Sequence, residues 1–143
     1  MLFRSLSLSD GTFDEDAYIR RYERTAPFFL TFVYVARLHL CVLFGRTREA
    51  VAAAEQARAV APGGTMWPVL VEFWGGMAAA AACDATTGTE RDAHRQQLVA
   101  AHRELTQLAE HCADNFRCWA LLDRKSTRLN SSHIQKSRMP SSA

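Results

Sequence analysis

TFVYVARLHLCVLFGRTREAVAAAEQARAVAPGG, residues Thr31 to Gly64, is the stretch on which the fold turns. Phe29, Phe32, Val33, Ala36, Leu40 and Leu43 recur at three- and four-residue steps. This spacing predicts a helix over 28–44 with those residues on one packed face. Gly45 supplies the left-handed turn that ends a helix cheaply. A second helix is expected over 47–61, with Ala50, Ala54, Ala57 and Ala61 on one side. Such small side chains let a neighbouring helix come close. Pro62-Gly63-Gly64 then breaks the pattern.

The same reading extends in both directions. Thr12 and Glu15 have the spacing of a capping box, predicting a helix from there to about Arg24 that carries Ala17, Tyr18 and Tyr22. Beyond the glycines, a helix over 67–83 begins with the bulk of Trp67, Phe73 and Trp74 and thins to Ala78–Ala82. Thr89 with Asp92 is a second candidate cap. It precedes a long helix over 90–112 whose stripe is Leu98, Ala101, Leu105, Leu108 and Cys112. Asp114-Asn115 opens a sixth helix with Phe116, Trp119, Ala120 and Leu122. No run with the period of a strand occurs. The expected fold class is all-α: about six helices in antiparallel pairs, joined by short Gly or Pro turns, as a solenoid.

The 34 residues from Thr31 to Gly64 match the length of a tetratricopeptide repeat and resemble one such unit. Tyr34 takes the early large position, Cys41 the later core position and Gly45 the turn. Glu49-Ala50 opens the second helix, Ala57 takes its small packing position and Pro62 ends it. Leu38 stands where a small residue is usual, and Ala54 replaces a common aromatic. The pair over 62–113 is too long for a standard unit, so the resemblance is to a divergent solenoid.

A wider resemblance covers nearly all of 1–122. FDEDAYIRR (13–21), ARLHLCVLFGRTREAVAAAEQA (36–57) and HRELTQLAEHCADNF (102–116) look like the helical region of large bacterial signalling ATPases. Phe13-Asp14-Glu15, Phe44-Gly45, Glu49-Ala50 and Leu108 to Phe116 carry it. Ala113 departs from a common proline. In that family a serine/threonine protein kinase and a predicted P-loop ATPase precede the helices, and a GAF and histidine-kinase module follows. The resemblance implies a non-catalytic scaffold in a cytoplasmic signal-transduction protein, with neighbouring repeats and ATPase or kinase domains as partners.

Composition divides the chain at Asp123. Residues 1–122 hold 22 alanines and no lysine, and their 12 Arg face 14 Asp and Glu, a net charge near -2. Residues 123–143 hold both lysines and have five basic residues against one Asp, near +4. This tail has the composition of a disordered segment. It also resembles a translated sequencing adapter: DRKSTRLNSSH, a barcode-sized gap at Ile134 to Lys136, then SRMPSSA. The natural reading is therefore expected to stop at Leu122, inside a longer gene, with 123–143 an artefactual tail. No role follows for Arg124, Lys125, Arg128 or His133, and no nucleic-acid partner is expected.

Phe28–Phe44 carries Arg37 and His39, and Thr65–Cys83 carries Pro68, Glu72 and Gly75-Gly76, so neither is expected to span a membrane. Cys41, Cys83, Cys112 and Cys118 are irregularly spaced, with no secretory leader, and read as free buried thiols.

Chemistry-bearing residues are sparse. There is no GxxxxGK[ST], GxGxxG or kinase catalytic loop in the chain. Asp14, Glu15 and Asp16 are a candidate cation cluster, against which stands the preference of helix starts for carboxylates. His94, His102, His111 and Cys112 invite a metal reading, but His94 and His102 lie two turns apart and Cys112 to Cys118 lacks paired CxxC spacing. No catalytic, cofactor-binding or metal residue is therefore assigned, and no cofactor is expected. Arg20, Arg21, Arg24, Arg46, Arg48 and Arg58 are candidate surface contacts. The alternative function is a small stand-alone helical enzyme using a Cys–His pair such as His111 and Cys112, although adjacent helix residues point about 100° apart. A fragment cut within its sixth helix is also expected to self-associate non-specifically.

Overall fold

The computed structural model describes residues 7–121. The tail beyond Asp123, with the expectations placed on it, lies outside them, as does Leu122. Among the described residues the chain is all-α. Helix α1 is Glu15–Tyr22, and a short 3-10 turn, Pro27–Phe29, leads into α2, Leu30–Leu43. Then come α3, Thr47–Val60; α4, Trp67–Ala85; and α5, Gly88–His111. A further helix, α6, covers 113–121.

Gly45 sits at φ +68°. The Gly45 amide donates to Val42 and the Arg46 amide donates to Cys41, so the turn closes the orphan carbonyls of α2. Only three residues separate α2 from α3, and the chain doubles back. Thr31, at the start of α2, donates its hydroxyl to Val60, at the end of α3 (3.1 Å). Further along, Leu38 and Cys41 pack on Ala50, Ala53 and Ala54. These alanines are nearly inaccessible because the α2 side chains fill the space above them. Helix α4 runs antiparallel to α3 in turn, with Glu72 beside Arg58 and Gly75 beside Ala54.

Helices α2 and α4 lie parallel. Phe32 meets Trp67 edge-on at 4.6 Å between ring centroids, and His39 stacks on Trp74 at 4.1 Å. Both pairs are offset by 35 positions, so the two helices keep one register over two turns. On the far side of α4, Phe73 touches Trp119 of α6 at 5.0 Å. Helices α2, α4 and α6 thus form one layer, while α3 and α5 belong to the other. Helix α1 closes the end, with Tyr22 against Phe29 and Glu15 against Arg37.

Three local expectations are corrected. Asp14, not Thr12, caps α1 by accepting from the Ala17 amide (2.9 Å); the Thr12 amide turns instead onto Asp10 (2.7 Å). Glu15 points into the protein and does not reach back to Thr12. Thr89 lies inside the first turn of α5, whose cap position is Thr87. The buried face of α2 is Leu30, Thr31, Val33, Tyr34, Val35, Leu38 and Cys41. Phe29, Phe32 and Leu43 are exposed. The stripe of α5 agrees with expectation at Leu98, Ala101 and Leu105.

Ala57 has no accessible surface. Ala57→Leu is expected to overpack the α2–α3 contact and cost roughly 1–3 kcal/mol in urea unfolding. An unchanged midpoint would place Ala57 outside that contact.

Candidate functional site

A concave polar region lies where the segment before α1 meets α2 and α3. Its floor is built from the sequence up. Asp10 accepts from the amides of Thr12 and Phe13 and from the Thr12 hydroxyl at 2.7 to 2.8 Å, closing a tight turn. The Thr12 amide, then its hydroxyl and the Phe13 amide, hold the Asp10 carboxyl below the usual carboxylate range. After this turn Ser9 takes the Glu15 amide (3.0 Å), and the Glu15 side chain is aimed inward.

Glu15 is 1 % exposed. Its Oε2 accepts from the Leu8 amide (3.0 Å) and the Ser7 hydroxyl (3.2 Å). Its Oε1 lies 2.6 Å from Nη2 of Arg37. That oxygen makes no aligned hydrogen bond, so the contact is an ion pair set by proximity. Above it opens a cleft of about 480 Å³ whose polar lining includes Asp16, Arg37, Arg46, Glu49 and Gln56. Arg46 and Glu49 pair across the rim at 3.0 Å. The Glu49 carboxyl is lowered first by its own backbone amide and then by Arg46.

The chemistry available here is limited. Three carboxylates face two guanidinium groups, and the buried carboxylate is occupied by the chain's own donors. The arrangement fastens the segment before α1 to α2. Asp14, Glu15 and Asp16 do not converge on a cation: Asp14 caps, Glu15 turns inward and Asp16 is exposed.

The remaining candidates are dispersed. His94 bonds Gln97 (3.3 Å) and lies 4.0 Å from Glu90. His102 is half-buried one face away, and His111 and Cys112 stand at the end of α5. No group of three potential metal ligands comes together among the described residues. No described helix is long and apolar enough to cross a membrane.

Two of the candidate surface arginines are tied down, Arg46 to Glu49 and Arg58 to Glu72. Arg58 reaches Glu72 through a fork of 2.8 and 3.3 Å across Gly75. Arg20, Arg21, Arg24 and Arg48 are exposed, Arg21 lying 5.5 Å over the Tyr22 ring. Such partly exposed pairs contribute about 0.2–1 kcal/mol each.

All four cysteines are free; Cys41 and Cys83 are buried, Cys112 half-buried and Cys118 exposed. Burial pushes the Cys41 and Cys83 thiols above their ordinary range. In an alkylation time course followed by mass spectrometry, Cys118 is expected to react first, and Cys41 and Cys83 only on unfolding. Early modification of Cys41 would contradict its place under α3.

No protein-family model, curated protein or solved structure matches the chain.

Proposed function

We propose that residues 1–122 are a divergent tetratricopeptide-like segment acting as a non-catalytic scaffold in a cytoplasmic bacterial signalling protein of the ATPase/kinase type. The observation that carries this reading is the constant 35-residue offset between the parallel helices α2 and α4. A helix pair of that length cannot bury all its apolar surface alone, and stacking a second pair in register does so. Layered packing of this kind spaces and presents neighbouring domains without chemistry of its own. The self-committed carboxylate of Glu15 and the scattered histidines favour the scaffold over the Cys–His enzyme.

The purified chain is expected to hydrolyse no ATP and transfer no phosphate, since its described residues offer no glycine-rich cradle and no lysine to meet a triphosphate. Nucleotide turnover abolished by one substitution within 7–121 would overturn the non-catalytic reading. The assignment to a signalling protein is tested separately at the genomic locus. A reading frame continuing past codons 1 and 122 into ATPase and kinase domains supports it; a stop on both sides sinks it.

A further inference from the structure

The segment before α1 is held to the helices by few ties. Three hydrogen bonds join its start to Glu15: the Ser7 hydroxyl (3.2 Å) and the Leu8 amide (3.0 Å) donate to Oε2, and the Glu15 amide donates back to the Ser9 hydroxyl (3.0 Å). Its apolar anchors are Leu8 and Phe13, half-buried against the cluster that holds Leu30, Val33 and Tyr34. Ser7 itself is exposed, and residues 7–10 have no regular secondary structure. One hydroxyl thus combines two properties. It is open to another protein, and its proton is committed to a carboxylate that is 1 % exposed.

We infer that Ser7 is a phosphorylation site and that its modification releases the segment before α1 from α2. The step is a phosphoryl transfer from a nucleoside triphosphate, catalysed by a protein kinase. The bond from Ser7 Oγ to the γ-phosphorus forms as the bond from that phosphorus to its bridging oxygen breaks. The hydroxyl proton goes to the kinase's base, and the nucleoside diphosphate leaves. The inference is independent of the scaffold reading.

Three observations give the sign of the effect. The first is the loss of the donor. A phosphate on Ser7 carries a charge of about -1.5 to -2 at neutral pH and stands where a hydroxyl had donated to Glu15, so attraction becomes like-charge repulsion. The second is the surroundings. The cleft sets Glu15, Asp16 and Glu49 against Arg37 and Arg46, three carboxylates against two guanidinium groups, a net charge of -1 before modification. Both guanidinium groups are already paired, Arg37 with Glu15 and Arg46 with Glu49. The third is the weakness of what remains. The Ser7 hydroxyl also accepts from the Ser9 amide (3.1 Å), so crowding at Oγ disturbs that turn as well. The Asp10 turn closes on Thr12 and Phe13 within the segment itself and adds no tie to α2. A segment with few buried contacts opens locally well below the free energy of global unfolding. Its release withdraws Leu8 and Phe13 and bares the apolar surface of the Leu30, Val33 and Tyr34 cluster.

The test uses the full 143-residue chain in three forms: unmodified, Ser7→Ala, and with phosphoserine installed at position 7 during translation. Amide hydrogen exchange is followed residue by residue by NMR. The phosphorylated chain should exchange its Leu8 amide about tenfold faster or more, while the Leu98, Ala101 and Leu105 amides of α5 keep their rates. Ser7→Ala removes the donor without adding charge and should change the Leu8 rate by less than about threefold. The site itself is tested by incubating the unmodified chain with ATP, magnesium and a panel of serine/threonine kinases. Tandem mass spectrometry should map a phosphate to Ser7 that is missing from Ser7→Ala. A phosphorylated chain whose Leu8 amide exchanges no faster overturns the inference, and slower exchange would mean that Arg37 and Arg46 clamp the phosphate. Equal acceleration by Ser7→Ala overturns it, because charge is then not the cause. A Leu8 amide unprotected in the unmodified chain overturns it too, since the latch is then not formed. So does the failure of every kinase in the panel to modify Ser7.

Discussion

Replacing Glu15 with alanine is expected to be the most damaging single polar change in the chain, costing about 3 kcal/mol. Removing one partner of a buried ion pair leaves the other charge uncompensated and strands the donors that had bonded to it. Here the substitution would orphan the Arg37 guanidinium, the Leu8 amide and the Ser7 hydroxyl together. Arg37 is 29 % exposed, so water reaches part of its charge and the cost falls toward the lower end of the range for buried pairs. Glu15→Gln is the informative control. It keeps a carbonyl oxygen for Leu8 and Ser7 but removes the charge facing Arg37, and should recover part of the loss. Urea unfolding followed by circular dichroism measures both. A change below about 0.5 kcal/mol for Glu15→Ala, the range of ordinary surface substitutions, would mean that the segment before α1 is not fastened there.

The second large effect separates the two faces of α2. Leu38→Ala is expected to cost about 2–5 kcal/mol, because Leu38 has no accessible surface and packs on the alanines of α3. Leu43→Ala, five residues on and 62 % exposed, should cost no more than about 0.5 kcal/mol. Thermal or urea midpoints of the two variants, measured side by side, decide the matter. Equal effects would mean that α2 is rotated from the orientation described.

That rotation marks what the sequence can and cannot tell. Helix α2 is apolar nearly all round, so counting three- and four-residue steps finds two acceptable stripes and cannot rank them. The simple count selects Phe29, Phe32, Val33, Ala36, Leu40 and Leu43. Only Val33 of that set is on the buried face. Aligning Thr31–Gly64 against a repeat unit selects Tyr34 and Cys41, which are buried. Those two positions are picked out because the comparison uses the second helix as well: the Ala50–Ala57 seam of α3 demands large residues opposite, and these lie one face round from Phe32. On α5, where the other side is polar, the single stripe of Leu98, Ala101 and Leu105 is unambiguous. The turns at Gly45 and Pro62–Gly64 are equally plain, since left-handed or proline-fixed backbone admits few residue types.

The polar cleft was not legible in the same way. Glu15 reads as a helix-start residue, which it is, but its side chain serves a partner 22 positions away. A usable signal did exist at the other end of that contact. Arg37 is the only formally charged residue in α2, and a lone guanidinium on a helix this apolar calls for a carboxylate from a neighbouring element. The sequence offers several acidic residues before α2, and nothing local selects Glu15 among them. The choice is made by the Asp10 turn and the Ser9 contact that aim it.

The layered arrangement also bears on how fast the chain folds. Helix α2 touches α3 and α4, α3 touches α4, and α4 touches α5. Every partner is thus the next helix along or the next but one. The contacts between successive helices close short loops, so little chain entropy is spent before their packing repays it. Helical proteins of such low contact order fold in roughly microseconds to milliseconds. The α2–α3 hairpin, with a three-residue turn and a dense alanine seam, is the natural nucleus. From it, structure can grow toward either end one helix at a time, leaving the ends to open and close while the middle holds.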